Sequence, residues 1–367
     1  MVEPFKNIYN DTFFNQFTAV LGKCIKGFDK KRFLKKIYDD AWEARELKQR
    51  MKHIAQVLHE FLPGQYDKNI SLIKDIIIAL RKEGISGGLE YMVFTEYVEA
   101  YGLEHYDISM QAMEFITQFI SCEFAIRPFI IRYPEKAMKQ MLLWSKHESL
   151  HVRRFSSEGC RPRLPWAMAL PALKKDPSAI LPILENLKDD TSEFVRKSVA
   201  NNLNDIVKDN PDIVLGIVKR WQGVSPRTDW IIKHGSRTLL RKAHPQAMKL
   251  FGLAVADQIV IDKLKITDKS IGIGDTLHFS FDLTNSGKKP IKLRVEYGID
   301  YMKSNGKGNR KLFKITENTY QPGQTYSFKR AQSFRNLTTR KHYAGQHTLA
   351  VVINGQELAV KKFTVTE

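Results

Sequence analysis

A chain of 367 residues has room for two domains with cores of their own, since single domains usually run to roughly 100–200 residues. Its 43% hydrophobic and 27% charged content excludes a wholly disordered protein. Lys and Arg outnumber Asp and Glu 58 to 40, leaving a formal charge of +18 and a pI near 9.6, which points to a polyanionic partner such as nucleic acid or an anionic membrane surface.

The start, Met1-Val2-Glu3-Pro4-Phe5-Lys6, has no basic segment followed by an apolar one, so no secretory signal is expected and the protein is read as cytoplasmic. From residue 11 to about 256 the sequence reads as successive amphipathic helices separated by Pro, Gly or short polar turns. Residues 70–81 and 134–146 are clear cases, and Pro134 stands where a first helical residue would, its missing N–H costing nothing there. The most apolar stretch, 115–131, is interrupted by Gln118, Glu123, Arg127 and Pro128, whereas a membrane span needs about 20 mostly apolar residues. No membrane crossing is expected. With only Cys24, Cys122 and Cys160 and no CxxC pair, neither a disulfide framework nor a structural zinc site is expected, and no metal or cofactor is assigned.

In the second half of the helical region a three-residue signature recurs: Val152-Arg153-Arg154, Val195-Arg196-Lys197 and Ile232-Lys233-His234, each read as opening a helix. The steps of 43 and 37 residues fall within and just below the roughly 40–47 residues of HEAT-type helical pairs, which must stack on one another to bury their apolar faces. After about residue 257 the period changes from 3.6 to 2. Leu277, Phe279, Phe281 and Leu283 alternate with polar residues, as do Ile291, Leu293, Val295 and Tyr297, giving half-buried strands. Asn354-Gly355 is a primed hairpin turn between two more. About seven strands suggest an immunoglobulin-like sandwich. The expected organisation is therefore an α-solenoid of HEAT-like repeats over 1–257 followed by an immunoglobulin-like β-sandwich over 258–367. Residues 258–367 hold about 19 Lys/Arg against 9 Asp/Glu, much of the excess in expected loops at 303–311 and 335–342, where basic side chains suit phosphates.

The stretch with the most chemistry is HVRRFSSEGCRPRLPW, residues 151–166. On a helix Val152, Phe155 and Gly159 share one side, while Arg154, Glu158 and Arg161 cluster on another. A carboxylate thus stands between two guanidiniums ahead of a Pro-rich turn that ends in Trp166; at these spacings an ordinary helix-surface ion-pair ladder is an equally available account. Ile116, Phe119, Ile120 and Phe124 are read as the apolar stripe of one helix with Glu123 at its centre, where an acid must be paired, protonated or facing a cavity. Farther on, Ser198, Asn201 and Asp205 make a polar strip beside Val195, Val199, Asn202 and Ile206.

The run HVRRFSSEGCRPRLPW resembles the signature of AlkC-type DNA alkylation repair glycosylases, relatives of the AlkD-type HEAT-like glycosylases. The similarity extends over the helical region, and AlkC-type proteins also carry a C-terminal immunoglobulin-like domain. The resemblance implies active-site acids at Glu123, Glu158 and Asp205 and an active-site tryptophan at Trp166; Glu158 and Trp166 lie inside the motif, whereas Glu123 and Asp205 rest on longer-range alignment. It implies a monofunctional enzyme that releases cationic alkylated bases, 3-methyladenine or 3-methylcytosine, from double-stranded DNA, acting as a monomer among nucleoid DNA and approaching a base that stays stacked. Arg153, Arg154, Arg161, Arg163, Arg196, Lys197, Lys233 and Arg237 are the expected phosphate contacts along one edge of the repeats. The alternative is a non-catalytic HEAT scaffold that binds nucleic acid or protein, which would need no buried acids.

Overall fold

The computed structural model describes residues 4–253, 256–304, 306, 308–337 and 340–367. The first three residues, the end of the stretch expected to be helical at 254–255, and positions 305, 307, 338 and 339 of the expected basic loops lie outside the described residues. Two compact units emerge, Met1–Val214 with Trp221–Gly235, and Leu215–Arg220 with Ser236–Glu367. Helices give way to strands after residue 250, yet the second unit also takes in the last two helices, so the units divide ahead of the 257/258 boundary expected from sequence.

Sixteen helices are described: α1 Asp11–Cys24, α2 Lys30–Ile37, α3 Leu47–His59, α4 Tyr66–Lys82, α5 Val93–Tyr101, α6 Tyr106–Ile116, α7 Ile126–Arg132, α8 Pro134–Trp144, α9 Leu150–Gly159, α10 Pro171–Lys175, α11 Leu181–Leu187, α12 Glu193–Ile206, α13 Pro211–Trp221, α14 Pro226–Gly235, α15 Arg237–Arg241 and α16 Pro245–Leu250. Their starts carry local signals. Asn10 and Asp29 accept the Phe13 and Arg32 amides as N-caps of α1 and α2, satisfying donors a helix cannot pair internally, and proline opens α8, α10, α13, α14 and α16. Within the first unit, packing runs between neighbours: α9 lies on α8, α11 and α12, and α12 also lies on α14. This is the stacking of a HEAT-like solenoid, in which each helical pair completes its core against the next. No helix among the described residues is long and apolar enough to cross a membrane.

The recurring basic signature has a structural meaning in two of its three copies. Arg153 and Arg196 each lie four residues after the N-cap serine of their helix, Ser149 and Ser192. Arg153 donates to the carbonyls of His147 and Glu148 at 2.9 and 2.6 Å, and Arg196 to those of Asp190 and Thr191 at 2.8 and 2.7 Å. The signature therefore staples the turn before each helix. The third copy departs from expectation: Pro226 starts α14 early, so Ile232-Lys233-His234 falls in its last turn rather than its first.

In the second unit, strands β1 Ile259–Ile266, β3 Thr276–Asn285 and β6 Thr325–Ser333 form one sheet in the order β1-β3-β6. Strands β2 Ser270–Gly272, β4 Ile291–Met302, β5 Gly308–Tyr320, β7 Gly345–Ile353 and β8 Gln356–Thr366 form the other in the order β2-β8-β7-β4-β5, with β2 parallel to β8 and the other pairs antiparallel. Leu277, Phe279, Phe281 and Leu283 of β3 face Leu293, Val295 and Ile299 of β4 across an apolar core, as expected of an immunoglobulin-like sandwich. Asn354 and Gly355 both take positive φ, 47° and 83°, the primed turn their sequence demands.

Strand β4 is not half-buried. Arg294 and Glu296, on the face opposite the core, are also enclosed and bond to each other at 2.6 Å. An interior strand can be covered on both faces, and neighbouring Lys292 reaches the Phe251 carbonyl at 3.3 Å. The expected loop 303–311 is shorter too, because β5 begins at Gly308; Arg310 is a strand residue that grips Asp300 through two bonds of 2.8 and 2.7 Å.

The first unit's packing gives a direct test at Gly159. A Cβ there would lie 2.7 Å from both Ile126 Cγ2 of α7 and Met141 Cε of α8, closer than atoms pack without displacement. We expect Gly159→Ala to destabilise the unit by about 1–3 kcal/mol through overpacking, read as a lower urea midpoint; an unchanged midpoint would contradict this close approach.

Candidate active site

The site is built from α9 and the turns that flank it. Val152, Phe155 and Gly159 are buried on one side of α9, with Phe155 packed 5.1 Å from the Trp144 ring. That anchoring turns the other face, with Arg154 and Glu158, toward Glu123 and α12. Arg161, just past the helix end, donates Nη1 to Glu158 Oε1 at 2.6 Å and Nε to Asp205 Oδ2 at 2.9 Å. Arg154 lies 3.5 Å from Glu158, pairs with Glu123, and donates to Ser121 Oγ at 2.6 Å. Lys208 closes the far end on Asp205 at 2.9 Å.

The result is an alternating chain, Glu123, Arg154, Glu158, Arg161, Asp205, Lys208. It joins segments 44 residues apart at Arg161 and Asp205 and 31 apart at Arg154 and Glu123, so it is more than a helix-surface ladder. Like charges held this close would repel strongly; alternation with cations removes the repulsion. Glu158 and Asp205 are only 5% and 2% exposed. Glu123 is the most open of the three acids, with a side chain 17% exposed. Burial works against the Arg161 charge, but Glu158 and Asp205 outweigh it and hold that pKa above the usual arginine value. On α12, Ser198 of the polar strip is buried, and Asn202, expected on the apolar face, is buried too and donates Nδ2 to the Ser157 carbonyl at 2.8 Å.

Glu123 stands in the chain by a different route from the one expected. Helix α6 ends at Ile116 and α7 starts at Ile126, so Ile116, Phe119, Ile120 and Phe124 are not one helical stripe. Residues 117–125 form a turn, tied by bonds such as Phe119 N to Ile116 O at 2.8 Å, and a turn rather than a helix face presents Glu123. Trp166 is 58% exposed with φ of 64°; it is not a core tryptophan.

The expected phosphate-binding residues divide. Arg154 and Arg161 belong to the alternating chain, and Arg153 bonds Asp190 at 2.6 Å as well as its two carbonyls. Arg163 pairs with Asp209 at 2.6 Å and Lys197 with Glu193 at 2.8 Å, both nearer the surface. Arg196 is held by its turn, Lys233 lies in the last turn of α14, and Arg237 opens α15, which belongs to the second unit. One spacing runs against the expectation of no metal, because His147-Glu148-Ser149-Leu150-His151 is an HExxH string. That motif binds zinc when both histidines share a helix face. Here Ser149 is the N-cap of α9, His147 precedes the helix and accepts the Ser149 amide at 2.9 Å, and the His151 ring lies against Phe194.

Sequence reasoning passed over Ser121, Lys208, Lys48 and Arg127. The signal for Arg127 was present: a guanidinium inside an apolar run must find partners. It is fully buried and donates to the carbonyls of Gly159, Arg161 and Met168 at 3.0, 2.9 and 2.6 Å.

Residues 107–250 match the family model described as DNA alkylation repair enzyme, and residues 260–367 match that of the YhaZ C-terminal Ig-like domain. The uncharacterized protein YhaZ of Bacillus subtilis (strain 168) is 46% identical over 351 residues, 96% of each chain. The structure of Pseudomonas fluorescens alkylpurine DNA glycosylase AlkC, bound to DNA containing an abasic site analog, superposes with a TM-score of 0.94 at 34% identity, covering 100% of both chains. The chain belongs to the AlkC-type DNA alkylation repair family.

Near the chain of charges, burial and then Glu96 push the Glu99 carboxyl up to about 7 from 4.5, opposed by Lys48, Lys52 and Arg127. A carboxyl raised on folding keeps a proton that the unfolded chain has released, so stability falls as pH rises from about 4.5 to about 7. Replacing Glu99 by Gln should remove that loss; urea midpoints at pH 5 and pH 8 would show the variant gaining on the wild type at the higher pH, and equal gains at both would refute the assignment.

Proposed function

We propose that this protein is a monofunctional DNA glycosylase that hydrolyses the N-glycosidic bond of cationic alkylated bases, 3-methyladenine and 3-methylcytosine, in double-stranded DNA. The observation that carries the proposal is the alternating chain that gathers Glu123, Glu158 and Asp205, in a chain 34% identical to a solved alkylpurine DNA glycosylase. Methylation at N3 makes the base cationic and weakens its bond to the sugar. Little leaving-group activation remains for the enzyme to supply, and no cofactor is required.

As the C1′–N bond breaks, its electron pair leaves with the base, which departs neutral, and positive charge develops on the deoxyribose. A fixed carboxylate in a poorly solvated site stabilises that charge more than it stabilises the substrate. Glu123, the most open acid, is assigned this position, with Glu158 behind it. A carboxylate also orients the water that adds to C1′ and takes its proton. Trp166, exposed beside this segment, packs against the sugar-phosphate at the lesion, where a ring face favours a nearby cation. Because these groups act on the sugar, the base need not be withdrawn from the stack. The enzyme is assigned to base excision repair in the cytoplasm, acting as a monomer.

The test is release of free 3-methyladenine and 3-methylcytosine from methylated duplex by purified protein without added cofactor. Glu123→Gln and Glu158→Gln should each slow excision by about 100- to 1000-fold while DNA affinity holds or improves. Wild-type excision by both variants would overturn the assignment.

The second unit is assigned a phosphate-binding role. Lys265, Lys329 and Arg330 line a groove of about 380 Å³ with Thr267, His278 and Ser280, and these three cations form no ion pair among the described residues, unlike Arg310. Replacing all three by Ala in the full chain should lower the slope of log affinity against log salt by about 0.9 for each phosphate no longer neutralised. An unchanged slope would assign the groove elsewhere.

A further inference from the structure

Trp166 combines two properties that rarely coexist. A bulky side chain at positive φ is a backbone outlier, costing on the order of 1–3 kcal/mol unless surrounding structure compensates. Its ring is nevertheless 58% exposed, with one aromatic neighbour among the described residues, Phe5, at 6.1 Å. Packing of the ring therefore does not account for the conformation, and the restraint must act on the backbone.

Two cations from distant elements supply it. Lys48 of α3 donates Nζ to the Trp166 carbonyl at 2.9 Å across 118 residues of sequence, and the same ammonium lies 5.0 Å from the centre of the Phe124 ring. Phe124 follows Glu123, so one side chain ties the turn that presents the acid to the turn that presents the tryptophan. Arg127 of α7 holds the segment at both ends, through Gly159 and Arg161 before Trp166 and Met168 after it. The chain's own bonds add little: Leu170 N to Pro162 O at 3.2 Å and Ala167 N to Leu164 O at 3.4 Å.

We propose that Lys48 and Arg127 are positioning residues for Trp166, holding it in its strained backbone conformation at a fixed place relative to Glu123. Neither touches the reacting atoms. The functional half of this rests on the glycosylase assignment above; the structural half does not. Lys48 is the better handle, because its side chain is exposed and Lys48→Met keeps an unbranched side chain of similar length without the ammonium, whereas removal of buried Arg127 would endanger the fold.

The experiment uses the full chain in two arms. In the first, amide exchange at Ala167 and Leu170 is followed in wild type, Lys48→Met and Lys48→Arg. Faster exchange in Lys48→Met with recovery in Lys48→Arg is expected, because local opening reports the stability of this segment; exchange unchanged in Lys48→Met overturns the proposal whatever the activity. In the second, single-turnover excision from methylated duplex is measured for Lys48→Met, Trp166→Ala and the double variant. Misplacement of a positioned group costs about 10- to 100-fold, so that loss is expected for Lys48→Met, with no further loss when Trp166 is already alanine. Additive losses would mean that Lys48 acts on the DNA directly and would overturn the functional half. Wild-type excision by Trp166→Ala would instead refute the role given to the tryptophan in the glycosylase assignment, leaving the first arm to decide the positioning.

Discussion

Much of this structure depends on one guanidinium. Arg161 is 7% exposed and lies between two carboxylates that are more buried still. Without it Glu158 and Asp205 would face each other's charge in a poorly solvated interior, and an uncompensated buried charge costs about 3–5 kcal/mol. The same side chain joins the end of α9 to α12, so the bond that makes the acid cluster tolerable also fixes the register of successive helical pairs. On the proposed assignment, stability and chemistry are not separable at this position.

The placement of arginine changes the meaning of the overall charge. A surplus of +18 suggests a surface studded with free cations, but many arginines around α9 and α12 are committed to carboxylates or to the carbonyls of inter-helix turns. Arg153 and Arg196 are structural staples that recur because the repeat recurs. A planar group with several donors suits that work, since it satisfies two carbonyls at once where lysine could not keep the same geometry. The cations without ion pairs on the groove of the three-stranded sheet, by contrast, remain available to an anion.

What could be read from sequence follows from the range of each interaction. The period of the helices, the alternation of β3 and the Asn354-Gly355 turn are local, and all were legible. So was the face of α9 that carries Arg154 and Glu158, because helix geometry alone places them together. Glu123 is identified through family resemblance, while the spacing around it points to the wrong secondary structure: apolar residues at helical spacing can as well fill the two sides of a turn. Lys48 was invisible as a site residue because its acceptor is a backbone carbonyl, which every residue possesses and no sequence pattern marks, whereas Arg127 was marked by its place in an apolar run although its carbonyl partners were not. The outward face of β4 failed for a related reason, since alternation reports one buried face and cannot say that the other is covered as well.

The alternating chain of charges also bears on how the molecule comes to be active. In a stacked repeat protein, folding can begin in any pair of helices and spread to its neighbours. Most contacts in such an array are close in sequence and form early at little entropic cost. The links from Arg154 to Glu123 and from Arg161 to Asp205 span 31 and 44 residues, so they close only when adjoining repeats have docked. A nascent or partly melted chain can hold α9 as a helix and still possess no assembled cluster of acids. On the proposed assignment, competence would thus arrive late, as a property of the stack rather than of any single helix.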